Sequence, residues 1–137
     1  MKITNVKDVP SEKVEMDGVK DCRYQVALSA RDGELSMAMR FFEVAPGGNT
    51  PLHNHPYEHE IYITEGTGTV WRDGQEVPLK TGDILYIPSD EKHQFKNAGA
   101  QPFKFMCLIP AKFQIFNDTA PTEIYTRTGD QGTTGLV

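Results

Sequence analysis

The chain carries no apolar pattern of helical period longer than a turn or two. It breaks instead into short strand-forming runs cut by glycine, proline and aspartate. CRYQVALS is rich in strand formers and is followed by a turn at Arg31-Asp32-Gly33. Ser36–Val44 (SMAMRFFEV) reads as a buried strand ended by Ala45-Pro46-Gly47-Gly48. Further runs are Glu60–Thr64, Gly68–Arg72, Glu76–Leu79, Asp83–Ile87, His93–Lys96 and Phe103–Ile109, and Lys112–Phe116 could add one more. Asp73-Gly74 between two of them is a hairpin signal. Many short strands with this punctuation predict an all-β fold, an antiparallel barrel or sandwich.

With 137 residues the chain is one domain, or one domain and a tail. The expected division is an N-terminal arm or edge strands over 1–18, a barrel over 19–116, and a linker and tail over 117–137. No apolar run approaches the ~20 residues that span a bilayer, so no membrane partner is expected. The N-terminal MKITNVKDVPSEK has no apolar core of signal-peptide type, and a cytoplasmic location is expected. Two cysteines, Cys22 and Cys107, make neither a disulfide framework nor a C-x-x-C pair. The net charge of −5 argues against a nucleic-acid partner.

All four histidines lie in two short stretches: His53, His55 and His59 between Gly47 and Gly66, and His93 further on. Crowding of neutral nitrogen donors points to a metal. In His-x-His on a strand both imidazoles face the same side, because side chains alternate. The first stretch is Gly47-x5-His53-x-His55-x3-His59-x6-Gly66. The second is Gly82-x5-Pro88-x-Asp90-x2-His93-x3-Asn97.

These two patterns resemble the paired motifs of the cupin superfamily, over roughly Val19 to Pro110. The resemblance implies a double-stranded β-helix, a jelly-roll-like barrel. Two positions depart from the family pattern. Asp90 stands where motif two has glycine, which would alter a turn. His59 stands where motif one has its glutamate ligand. HNHPYEHEIYITEGTG, with MRFFEVAPGG before it and FMCLIP near the end, is similar to small single-domain cupins with four histidine ligands. That resemblance implies a divalent transition metal held by His53, His55, His59 and His93. It favours manganese or iron, while all-nitrogen donors also suit nickel, copper or zinc. Four neutral ligands leave the ion's charge uncompensated, which favours an anionic ligand in its open positions.

Strand parity turns Ile61, Ile63, Phe95, Phe105 and Cys107 into the barrel with the histidines, as an apolar pocket, and Lys104 outward. Cys107 is either a small core hydrophobe or a thiol able to modulate the metal. Arg40, between Met39 and Phe41, is either an outer-face charge or an inward cation for an anionic substrate. Tyr57 is expected to pack at the rim, and Glu58 either does the same or accepts a ligand N–H. No general base has a committed position, so Arg40 and Cys107 are the candidates for catalysis and a redox or Lewis-acid role for the metal is expected. The function expected is a dioxygenase-like oxidoreductase acting on a small, anionic substrate. The alternatives are a non-catalytic binding or sensing module and a redox-neutral isomerase or lyase. A homodimer is expected. Because ligating imidazoles must be neutral, metal is expected to leave as the pH falls below about 6.

Ile124–Leu136, IYTRTGDQGTTGL, is similar to the N-terminal nucleotide-binding segment of ATP:cobalamin adenosyltransferases. The helical bundle that completes such a site is not in this sequence, so no ATP binding by this chain alone is expected.

Overall fold

The computed structural model describes residues 1–114. Its strands are β1 (Glu12–Lys13), β2 (Lys20–Leu28), β3 (Met37–Asn49), β4 (His59–Glu65), β5 (Thr67–Arg72), β6 (Gln75–Lys80), β7 (Ile84–Ile87), β8 (Phe95–Lys96) and β9 (Phe103–Pro110). They form one antiparallel sheet in the order β6-β5-β8-β3-β9-β4-β7, with β2 on β3 and β1 on β2. The sheet curls on itself as a barrel. Among the described residues no helix is long and apolar enough to cross a membrane.

The curl is made by β3. The sequence ends this strand at Ala45-Pro46-Gly47-Gly48, but the chain bends there and continues to Asn49. Met37 to Val44 pair with β9, and Asn49 then pairs with Lys96 of β8, so one strand joins the two halves of the barrel. Gly47 sits at φ +83°. A Cβ on Gly48 would lie 2.6 Å from the Lys20 carbonyl oxygen, so the bend admits no side chain there.

The hairpin at Asp73-Gly74 forms as expected. Both residues have positive φ (50° and 82°), the signature of a type I′ turn, and Arg72 pairs with Gln75. Asp90 also takes positive φ, 68°, so it keeps the turn that glycine makes in the family pattern. Elsewhere the structure corrects the strand assignments. Ala111–Phe113 is a 3-10 turn rather than a strand, and β8 begins at Phe95, with His93 before it in an isolated bridge. At the N-terminus Val6–Asp8 is a 3-10 turn, and Glu12 and Lys13 pair with Tyr24 and Arg23. The expected linker and tail over 117–137, with its adenosyltransferase-like segment, lies outside the described residues.

Alternation along β9 is complete: Phe103, Phe105, Cys107 and Ile109 are buried and their neighbours are partly exposed. Ala38, Arg40, Phe42 and Val44 of β3 and His59, Ile61 and Ile63 of β4 share that interior face. Phe105 is the hub of its aromatic part, with ring centroids 5.3 Å from Phe42, 5.5 Å from Phe103 and 4.7 Å from Phe95. Register sets Cys107 directly between Arg40 on β3 and Ile61 on β4.

Candidate metal centre

Two backbone hydrogen bonds bring the distant histidines together. The His53 N–H donates to the His93 carbonyl (3.1 Å), and the His93 N–H donates to the His53 carbonyl (2.9 Å). The neighbouring turns lock this bridge. Asp90 N–H donates to the His55 carbonyl at 2.8 Å, and the buried Thr50 hydroxyl accepts the Phe95 N–H at 2.8 Å. His59 enters from β4, where it pairs with Ile87 of β7.

The four rings converge. Centroids are 5.1 Å apart for His53 and His55, 5.0 Å for His53 and His93, 5.0 Å for His55 and His93, and 5.2 Å for His59 and His93. One ring nitrogen from each of His53, His55 and His93 lies within 4.8 Å of the other two. His59 joins through His55, with their Nε2 atoms 2.5 Å apart.

Protonation follows from the surroundings. Burial, reinforced by the other histidines, pushes the imidazoles of His53 and His55 down to about 3. Burial also lowers His93, and lowers His59 well below the ordinary value. All four are therefore neutral near pH 7. The His55 Nδ1–H donates to the Tyr57 carbonyl (2.9 Å) and the His93 Nδ1–H to the Glu91 carbonyl (2.8 Å), so each presents a bare Nε2. His93 Nε2 and both nitrogens of His53 are buried without a hydrogen-bond partner. A buried polar atom in this state is costly unless something binds it. The donor set thus fits a metal ion.

The expected pocket residues Ile61, Ile63, Phe95 and Phe105 are all buried on the interior face, and Phe95 lies 6.4 Å from His93, centroid to centroid. Of the two placements open for Arg40, the structure takes the inward one. It is the largest fully buried side chain among the described residues, lies 5.0 Å over the Phe42 ring, and donates from its guanidinium to Cys107 Sγ at 3.2 Å. Cys107 is also buried, with Sγ 2.8 Å from His59 Nδ1. Burial raises its thiol pKa, and Arg40 opposes that rise.

Tyr57 was expected at the rim but is 4% exposed. Its ring stacks on His55 (3.9 Å, 11°) and on Phe113 (4.5 Å, 18°). The acceptors that fix the ligand tautomers are the carbonyls of Tyr57 and Glu91, not the exposed Glu58. A carbonyl has no residue type, so sequence offers no signal for it. The aromatic ring of Tyr57 between two histidines was the only visible hint.

Comparison with known proteins agrees with this architecture. A solved structure of the polyketide cyclase RemF from Streptomyces resistomycificus superposes with a TM-score of 0.76 and 28% identity, covering 97% of each chain. The oxalate-binding protein of Thermotoga maritima is 37% identical over 68 residues, which are 49% of this chain and 56% of that protein. Quercetin 2,3-dioxygenase of Bacillus subtilis is 35% identical over 65 residues, 47% of this chain and 19% of the enzyme. The chain spans 56 to 64% of the length of the first curated relatives it matches. The cupin-domain family model matches residues 40–109, the segment that holds all four histidines and most of the barrel, and the chain therefore belongs to the cupin family.

Proposed function

We propose that His53, His55, His59 and His93 hold one divalent transition metal, manganese or iron, and that the protein is a dioxygenase-like oxidoreductase for a small, anionic substrate. The observation that carries this reading is a set of converged, neutral imidazoles, two of which, His53 and His93, hold buried ring nitrogens without a hydrogen-bond partner. When bound, the ion supplies a Lewis-acidic, redox-capable centre. The chain supplies orientation, through the Tyr57 and Glu91 carbonyls, and dryness, through Ile61, Ile63, Phe95 and Phe105. Among the described residues, the ring nitrogens of the four histidines bond to two carbonyls, a thiol and one another, and to no carboxylate. With no negative ligand and with Arg40 nearby, the site favours a carboxylate or enolate.

A second reading, a module that binds an anion without turning it over, is supported by likeness to a relative named an oxalate-binding protein. Oxygen uptake separates the two. Manganese- or iron-loaded protein is expected to consume oxygen with an oxidisable enolate such as a flavonol, and zinc-loaded protein is not. Retained turnover with zinc would mean redox-neutral chemistry. Saturable oxalate binding with no uptake for any substrate would favour the binding module.

A homodimer through the outer face of β4 and β7 belongs to this reading. Tyr62 and Ile84 are a cross-strand pair there, 43% and 80% exposed, beside Tyr86 at 65%. Among the described residues β7 ends the strand order, and its outer edge is the one offered to a second copy. Gel filtration is expected to give a dimer that Ile84→Lys converts to a monomer. A monomeric wild type would remove the claim.

A further inference from the structure

The Cys107 thiol stands in a row of contacts that runs from Arg40 to Tyr57. The Arg40 guanidinium donates to Sγ at 3.2 Å, Sγ lies 2.8 Å from His59 Nδ1, His59 Nε2 lies 2.5 Å from His55 Nε2, and His55 Nδ1–H donates to the Tyr57 carbonyl at 2.9 Å. A carbonyl only accepts, so the direction of the row is fixed from that end. With its proton on Nδ1, neutral His55 has an accepting Nε2. His59 Nε2 must then carry the hydrogen that points at it. His59 Nδ1 is left bare, and the thiol S–H donates to it. In this tautomer His59 has no lone pair for an ion. The same row takes up the His55 Nε2 lone pair, so the ring nitrogens left without a partner are those of His53 and His93, and binding at His55 likewise requires His59 to give up its Nε2 hydrogen.

For His59 to become a ligand, its hydrogen must sit on Nδ1, where it needs a buried acceptor. The sulfur is the atom in place. It can accept because its own hydrogen has a second direction to take, towards the Leu108 carbonyl at 4.0 Å.

We infer that Cys107 is the positioning residue of this centre, its sulfur donating to or accepting from His59 Nδ1 and so governing whether His59 serves as a fourth ligand. The inference rests on the reading that the cluster holds a metal. The change is a tautomerisation. A hydrogen leaves Nε2 for solvent, another arrives at Nδ1, and the thiol hydrogen turns from Nδ1 towards Leu108. No net proton or electron is gained or lost.

The test is nitrogen NMR of the histidine side chains with zinc as the probe, together with zinc affinity by chelator competition. Metal-free wild type is expected to show His59 protonated at Nε2, and the zinc form to show it protonated at Nδ1. Cys107→Val offers neither donor nor acceptor. Its zinc form is expected to keep the proton on His59 Nε2 and to bind about 10- to 100-fold more weakly. Cys107→Ser, whose hydroxyl serves both roles, is expected to restore the wild-type tautomers. A metal-free wild type with the proton already on Nδ1, or a valine variant that matches wild type in tautomer and affinity, would overturn the inference. The metal-free spectrum needs no variant to fold. A wild type that binds no zinc at all would instead defeat the metal reading itself.

Discussion

His53→Leu is expected to destroy metal retention while leaving the metal-free protein as stable as wild type or more so. Among the four imidazoles only His53 has both ring nitrogens buried without a hydrogen-bond partner. Each such atom costs about 1–3 kcal/mol in the metal-free fold, and leucine of similar size removes both. Loss of one ligand acts in the opposite direction on the loaded protein. A site worth on the order of 10–16 kcal/mol shared among about four ligands loses roughly 100- to 1000-fold in affinity when one is deleted. Chelator competition reads the affinity, and thermal melts of chelator-treated protein read the stability. A residue chosen only for packing would show the reverse, with unchanged metal content and a lower melting point. That result would remove His53 from the centre.

Acid is expected to unfold the metal-free protein well above the pH at which most folded proteins fail. An unperturbed histidine titrates near 6.5, whereas folded His53 and His55 titrate at about 3. Between those values the unfolded chain binds protons that the folded chain does not. Stability therefore rises with pH through the window and is lost as the pH falls. Each such histidine removes about 1.4 kcal/mol per pH unit, and His59 and His93 act in the same direction. Against a total stability of about 5–15 kcal/mol, a midpoint between roughly pH 4 and 5.5 follows. Saturating zinc, which binds only the folded state, is expected to lower that midpoint by about a unit or more. The unperturbed imidazole suggested metal release below about pH 6. Burial changes the route, because the folded rings stay neutral and release accompanies unfolding. Circular dichroism against pH, with and without zinc, checks both points. A metal-free midpoint below pH 3 would contradict the burial of these rings.

Much of the barrel was legible because its determinants are local. Phe103–Pro110 alternates strictly, so its inward residues could be named from parity alone. Asp73-Gly74 carries its own turn chemistry. The bend in β3 was not legible, since Ala45-Pro46-Gly47-Gly48 reads as a stop. Only its hydrogen bonds to Asn97 and the close approach of Lys20 show that the strand continues. Arg40 was ambiguous for a similar reason. A charged residue in a strand is ordinarily solvated, and the sulfur that Arg40 donates to lies 67 positions away.

The sequence by itself showed which side chains could gather, because its four histidines sit at fixed spacings in two short stretches, although only His59 lies within a strand and His53 and His93 meet in an isolated bridge. Tertiary structure decided what those rings are. The carbonyls of Tyr57 and Glu91 set the tautomers of His55 and His93, the sulfur of Cys107 meets His59 Nδ1, and burial keeps the rings uncharged. The physical reason is that proton placement is a property of neighbours, and those neighbours are either backbone atoms, which no residue letter encodes, or side chains that meet only after the sheet has closed.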